Sequence, residues 1–297
     1  MNTFLNSFKV TLKNGSSLTR LLYLNIGIFI IVKLIAVTLL LFNIDTDTWM
    51  SYIEMPASWK TLLYRPWSII TYMFLHFNLF HLFFNMLCLY WFGKLFLNFF
   101  SQKQLVGLYI LGGMGGALLY LLAYNSFPYF ASIVNSSYLL GASASIMAII
   151  VALATTSPNY TIRLMLIGDI HMKYFAGITV LISVLSVTGS NAGGEFAHLG
   201  GALVGFLYAY FMKKGTDLTS PINRIIDWFI NLQKYRAEIR ITKSFQPKTT
   251  KTDAEYNQTR AQQEKEIDSI LDKIKQSGYD SLTASEKQRL FDRSQSL

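Results

Sequence analysis

Four histidines occur in 297 residues, and three of them, His76, His81 and His198, sit where long apolar runs begin. Ionisable side chains are costly inside a bilayer and as a rule face a protein interior or a wet cavity. Ser143 and Ser145, in "YLLGASASIMAIIVALATT" (residues 138–156), raise the same question. A serine hydroxyl attacks a carbonyl only when a neighbouring base takes its proton, and imidazole, titrating near neutrality, suits that task. Ser143 is the candidate nucleophile and His198 the candidate base. The oxyanion that forms needs donors already in place, each worth about 2.7–4 kcal/mol of barrier. His81 and Asn85 lie one helical turn apart and can face one point. The Ser143 N–H, in the first turn of its helix, is a third donor left free by the helical ladder. Glu195 is the one acid near His198, so a two-member serine–histidine site is the simplest reading.

Ser143 and Ser145 point about 200° apart on a helix, so only one can face the histidine. Gly141 permits close backbone approach beside Ser143, and Ser145 is expected to pack against a neighbour. Gly201 and Gly205, with Gly200 beside them, form a small-xxx-small face that lets membrane helices come close. Gly112, Gly113, Gly115 and Gly116 are expected to serve packing alone. Two rival chemistries have weaker grounds. Three imidazoles (His76, His81, His198) can bind zinc, but no HExxH and no nearby carboxylate base accompanies them. A serine–lysine pair would need Lys33, which lies midway along the first apolar run. The expectation is no metal and no cofactor.

The elements that must position these groups are apolar. The chain is 52% hydrophobic and 14% charged, a balance suited to an all-α polytopic membrane protein. Spans of roughly 20 residues fall near Leu22–Phe42, Asn78–Phe100, Leu105–Tyr124, Leu139–Thr156, Tyr174–Val187 and His198–Met212. "WSIITYMFLH" (67–76) is expected in the loop before the second span. The first span reads as an uncleaved anchor, being long for a signal sequence and lacking a small-residue cleavage motif. Lys9, Lys13 and Arg20, then Lys103, Arg163, Lys173, Lys213 and Lys214, alternate with loops poor in Lys and Arg. Lys60 and Arg65 in the first outer loop are offset by Asp45, Asp47 and Glu54. Positive-inside reasoning puts both termini in the cytoplasm. The net charge of +9 is then topological and gives little support for nucleic-acid binding. With that topology, Ser143, His81, Asn85 and His198 all fall within roughly the outer 10–12 Å of their helices. The lone Cys88 makes no intrachain disulfide.

Four segments follow: a basic cytoplasmic N-terminal segment (1–21), a six-helix membrane domain (22–212), a juxtamembrane amphipathic segment and linker (213–262), and a small helical hairpin (263–297). In the third, Ile222, Ile225, Ile226, Phe229 and Ile230 share a helical face, open to two readings: a helix on anionic lipid, or a solvated helix packed on a neighbour. Residues 244–262 read as linker. Ile267, Ile270, Leu271 and Ile274 form a second stripe stopped by Gly278, and Thr283–Glu286 reads as a capping box. "YTIRLMLIGDIHMKY" (160–174) fits a small β-hairpin, with His171 on its surface.

These residues resemble the rhomboid family of intramembrane serine proteases. The family's GxSx serine, AHxxGxxxG histidine and HxxxxHxxxN set match Gly141–Ala144, Ala197–Gly205 and His76–Asn85, in order, within about residues 55–212. The resemblance implies a six-span rhomboid-like bundle and a Ser143–His198 dyad. It implies an oxyanion site of His81, Asn85 and the serine backbone amide, supported by Gly141, His76, Gly201 and Gly205. It also implies cleavage of single-span membrane proteins near their outer boundary. The tail is similar to one on some bacterial rhomboids, so a bacterial inner membrane is the expected location and the tail's partner is open. Ala144 and Met147 stand where many members have glycine and an aromatic. Trp67 is followed by Ser68, with Arg65 two residues earlier, where a Trp-Arg pair is common. The alternative is a non-proteolytic rhomboid-like protein that binds membrane clients, a role that would tolerate loss of the serine or histidine.

Overall fold

Helices dominate the computed structural model, which describes residues 15–164, 168–244 and 253–294. Six helices account for the apolar runs: α1 (Ser17–Leu41), α2 (Leu79–Phe96), α3 (Gln102–Ser126), α4 (Ser143–Thr156), α5 (Met172–Leu185) and α6 (Ala192–Lys213). By length and composition α1, α2 and α3 suffice to cross a membrane, while α4 and α5 are shorter apolar helices. Large apolar side chains such as Ile31, Leu34, Phe80, Phe84, Leu181 and Leu203 stay exposed on the outside of the bundle. A lipid-facing surface looks like this, because hydrocarbon needs no polar cover.

Each helix start has a local cause. Ser16 caps α1 by accepting from the Thr19 N–H. Asn78 caps α2 by accepting from the His81 N–H at 2.8 Å, which fixes His81 in the first turn. Ser101 and Gln104 form a capping box at α3. The start of α4 is set by Gly141, whose φ of +131° is open to glycine but strained for other residues.

α3, α4 and α6 make the tight centre, with α1, α2 and α5 around it. Their closeness is written in glycine. A Cβ on Gly201 would stand 2.0 Å from the Ala144 carbonyl oxygen, one on Gly205 2.2 Å from that of Ala148, and one on Gly200 2.3 Å from that of Gly115. The α3 glycines meet α4 and α6 similarly: Gly112 faces Ala148, and Gly116 faces Ala144 and the Ala197 carbonyl. Backbones in direct contact gain dispersion energy and close the gap between side chains at the helix heads.

The segment before α2 is not part of that helix. It holds short helical turns at Trp59–Tyr64, Ser68–Thr71 and Tyr72–Phe74, as expected of a loop. Strand β1 (Met55–Pro56) pairs antiparallel with β2 (Tyr138–Leu139), tying this loop to the approach to α4. Tyr72 is the pin: its hydroxyl donates to the Gly113 carbonyl at 2.7 Å, and its own carbonyl accepts from the Gly141 N–H at 2.9 Å. Arg65 and Trp67 grip one turn together. Arg65 donates to the Ser51 carbonyl at 2.8 Å and lies 3.9 Å from the Tyr52 ring centroid, while Trp67 Nε1–H donates to the Tyr52 carbonyl at 2.7 Å. Between α4 and α5, β3 (Thr161–Leu164) and β4 (Gly168–His171) form the expected hairpin, and His171 is exposed beside Thr161 Oγ1 at 3.1 Å. Lys33 sits on an exposed face of α1 with its ammonium 5.8 Å from the Phe29 ring centroid.

The chain divides into two compact units, the second beginning at Leu232. In the first, α7 (Ser220–Ser244) starts against α3: Thr219 is fully buried against Gly107, and Lys103 pairs with Asp227 at 2.7 Å. Ile225, Trp228 and Phe229 remain exposed on the opposite side of this helix. The second unit contains α8 (Asp253–Ser277) and α9 (Ala284–Ser294), which bury Ile270 and Leu282. Thr283 N–H donates to Glu286 Oε2 at 2.7 Å and Lys273 reaches the same carboxylate at 3.0 Å, so the capping box forms. The linker expectation needs correcting. Residues 253–262 begin α8, because their run of Ala, Glu, Gln and Arg favours helix despite its polarity. Residues 245–252 lie outside the described residues.

Candidate active site

The glycine contacts bring the heads of α4 and α6 together, and with them Ser143 and His198. Ser143 Oγ lies 2.8 Å from His198 Nε2, a full hydrogen bond between groups 55 residues apart. The other imidazole nitrogen, Nδ1, faces Glu195 Oε2 at 3.2 Å and Ser183 Oγ at 3.3 Å. Ser183 reaches in from α5 and is buried.

His81 closes the opposite side. The Phe77 N–H donates to His81 Nδ1 at 3.3 Å, so in the neutral ring the proton resides on Nε2. That Nε2–H is directed at Gly141: a Cβ there would lie 3.2 Å from His81 Nε2, 3.1 Å from its Cε1 and 3.7 Å from Ser143 Oγ. The missing side chain leaves a small space bounded by the His81 imidazole and the Ser143 hydroxyl. The Ser143 N–H, at the first residue of α4, has no partner within its own helix. Asn85 is buried and donates from Nδ2 to the His81 carbonyl at 2.8 Å, which holds its amide one turn beyond His81 with a second N–H to spare. A hollow of about 630 Å³ opens beside His81, bounded in part by Asn78, Ser137, Tyr138 and Asn191.

Replacing Gly141 with alanine strains the backbone by about 1–3 kcal/mol and pushes a methyl against His81. Displacements of about 1 Å at a reacting centre cost on the order of 10²-fold in rate. The expected result is a large fall in reactivity of the Ser143 hydroxyl with the protein still folded, measured by fluorophosphonate labelling and thermal melting of the same preparation.

Other residues serve the scaffold. Ser145 is fully buried against Gly112 and Gly113 with its hydroxyl unpartnered. Met147 turns toward α5, where the Thr179 hydroxyl lies 3.8 Å from its sulfur. His198 is therefore held from its Nδ1 side by Glu195 and Ser183, contacts that no motif announces; the three-residue spacing from Glu195 to His198 was the available signal. His76 lies just before α2, 3% exposed, its ring edge-on to His81 with centroids 5.2 Å apart. Neither of its nitrogens makes a well-formed hydrogen bond. Burial and then the neighbouring His81 push its pKa down to about 4, against a weaker upward pull from the Phe74 backbone. The unfolded chain takes up this proton near pH 6.5 while the folded one does not, so this stabilisation is complete above about pH 6.5 and falls as the pH drops toward 4. Melting temperature should decline from pH 6.5 to 5, and His76→Phe should flatten that decline. Among the described residues no three His, Cys, Asp or Glu side chains stand close enough to hold a metal, so the three-imidazole zinc reading finds no site here.

A helical bundle with apolar outer faces and a serine–imidazole pair at the heads of two touching helices is a membrane protein with a polar interior site. The rhomboid domain model matches residues 64–215, and the chain belongs to the rhomboid family. Residues 250–296 match a separate family of unknown function (DUF6576). The human presenilin-associated rhomboid-like protein, mitochondrial, is 31% identical over 163 residues, 52% of this chain and 39% of that protein. Its mouse counterpart is 30% identical over 159 residues with the same coverage. The RHOMBOID-like protein 12, mitochondrial, of Arabidopsis thaliana is 27% identical over 161 residues, 51% of this chain and 48% of that protein. The chain thus spans less than half the length of these relatives. Their names are mitochondrial and lend no support to a bacterial inner membrane; membrane residence itself follows from the rhomboid domain and the apolar helices.

Proposed function

We propose that the chain is an intramembrane serine endopeptidase that cuts single-span membrane proteins in or near their transmembrane segment. The observation that carries this reading is the 2.8 Å approach of Ser143 Oγ to His198 Nε2 beside the space kept open by Gly141. His198 takes the Ser143 proton as the hydroxyl adds to the scissile carbonyl. The oxyanion is met by the His81 Nε2–H, the Ser143 backbone N–H and the spare N–H of Asn85. Collapse breaks the C–N bond, and His198 returns the proton to the leaving amine. Water then hydrolyses the acyl-serine with the same imidazole as base, supplied from the polar hollow beside His81. No cofactor enters this chemistry. A substrate helix must unwind before attack, because its backbone hydrogen bonds otherwise shield the carbonyl; substrates with Gly or Pro near the cut are expected to be preferred.

The arrangement in the membrane belongs to the same proposal: α1 to α6 all span, both termini lie in the cytoplasm, and the site opens toward the outer side. The residues after 213 then form a cytoplasmic tail whose partner is open. Purified protein in proteoliposomes tests the reading. Cleavage of a model single-span substrate supports it; binding of that substrate without cleavage supports a client-binding rhomboid-like protein instead.

A further inference from the structure

We infer that Glu195 is a positioning residue for His198, giving the site a carboxylate–imidazole–serine chain in place of a bare serine–histidine pair. The inference rests on the protease reading and deepens it. Two observations converge on the Nδ1 side of the ring. Glu195 Oε2 is 3.2 Å away, its side chain 15% exposed. Ser183 Oγ is 3.3 Å away on a different helix. Residues three apart share a helix face, so Glu195 and His198 are neighbours by construction. The first turn of a helix also favours a carboxylate through the helix dipole.

The chemical consequence concerns which nitrogen bears the proton. An ionised carboxylate only accepts hydrogen bonds, so it selects the ring with Nδ1–H. Nε2 then presents its lone pair to the Ser143 hydroxyl. The other tautomer would point Nε2–H at Ser143 and leave no base. When Nε2 takes the serine proton, the imidazolium forms beside the carboxylate; Glu195 keeps its charge throughout and accepts no proton. Ser183 meets the same nitrogen from α5 and restricts ring rotation. The charged or titratable groups facing the imidazole among the described residues are Glu195 from α6 and His81 from α2.

The experiment compares wild type with Glu195→Gln, Glu195→Asp and Ser183→Ala in proteoliposomes, reading kcat and KM separately on one single-span substrate. Glu195→Gln keeps the shape and removes the charge. It should lower kcat by about 10²–10⁴-fold with KM little changed. Glu195→Asp should recover part of kcat. Ser183→Ala should slow turnover less than Glu195→Gln. Unaltered kcat in Glu195→Gln would overturn the inference. So would equal losses in the Gln and Asp variants, which is the pattern of a structural role. If Glu195→Gln does not fold, the Asp and Ser183→Ala rates decide. Retained cleavage in Ser143→Ala is the separate result that overturns the underlying protease reading.

Discussion

Alanine at position 143 should leave the fold intact and remove both cleavage and fluorophosphonate labelling. The lost hydroxyl fills no core space: it hydrogen-bonds His198 Nε2 at the edge of an open site. Stability should therefore change by well under 1 kcal/mol, as is usual for substitutions outside packed interiors. Activity should fall by at least about 10⁴-fold, since removing a nucleophile disables the whole catalytic unit. His198→Ala should cost nearly as much, and the double variant little more, because the two groups act as one. Ser145→Ala is the contrast. It deletes a buried hydroxyl that has no partner, and both labelling and turnover should persist. Undiminished labelling of Ser143→Ala would refute the nucleophile assignment.

Valine in place of Gly201 is expected to be the most damaging change outside the site. The first carbon added already stands 2.0 Å from the Ala144 carbonyl oxygen, and the obstacle is backbone that cannot rotate away. α6 must shift off α4 by more than an ångström, or the bundle must open. Overpacking of this kind costs about 1–3 kcal/mol where neighbours can yield, and a rigid backbone puts this case at or above the upper end. Gly201 lies one turn past His198, and Ala144 follows Ser143. The same displacement therefore stretches the Ser143–His198 bond, and activity should vanish before unfolding is complete. A Cβ on Gly27 or Gly177 meets nothing within 4 Å, so Gly27→Ala and Gly177→Ala should melt like wild type. Thermal melts in detergent, read beside cleavage, check all three; a Gly201→Val protein with normal melting and turnover would show that the helix contact is not as described.

Much of this was legible because membrane helices write their contacts in residue size. The Gly201–Gly205 spacing announced the α4–α6 approach, and the α3 glycines announced theirs. The β-hairpin appeared as partial alternation in an otherwise helical chain, although residues 165–167 lie outside the described residues. The loop before α2 was separable from the helix only by excess length, and its short helical turns left no periodic trace. The role of the Tyr72 carbonyl was invisible, since a backbone acceptor has no sequence signature. Glu195 was noticed but given no part, because a carboxylate three residues before a histidine can point to solvent as readily as to the ring. The start of α8 was read as linker because polar residues with high helix propensity lack the apolar stripe that marks a packed helix.

α5 contributes two contacts to the centre: Thr179 to the Met147 sulfur and Ser183 to His198 Nδ1. Any outward sway of this helix withdraws both at once and leaves the Nδ1 side of the imidazole held by Glu195 alone. A guest that displaced α5 would thus compete with full readiness of the base, and a slow return of that helix would then set the tempo of the cycle even with every reacting atom unchanged.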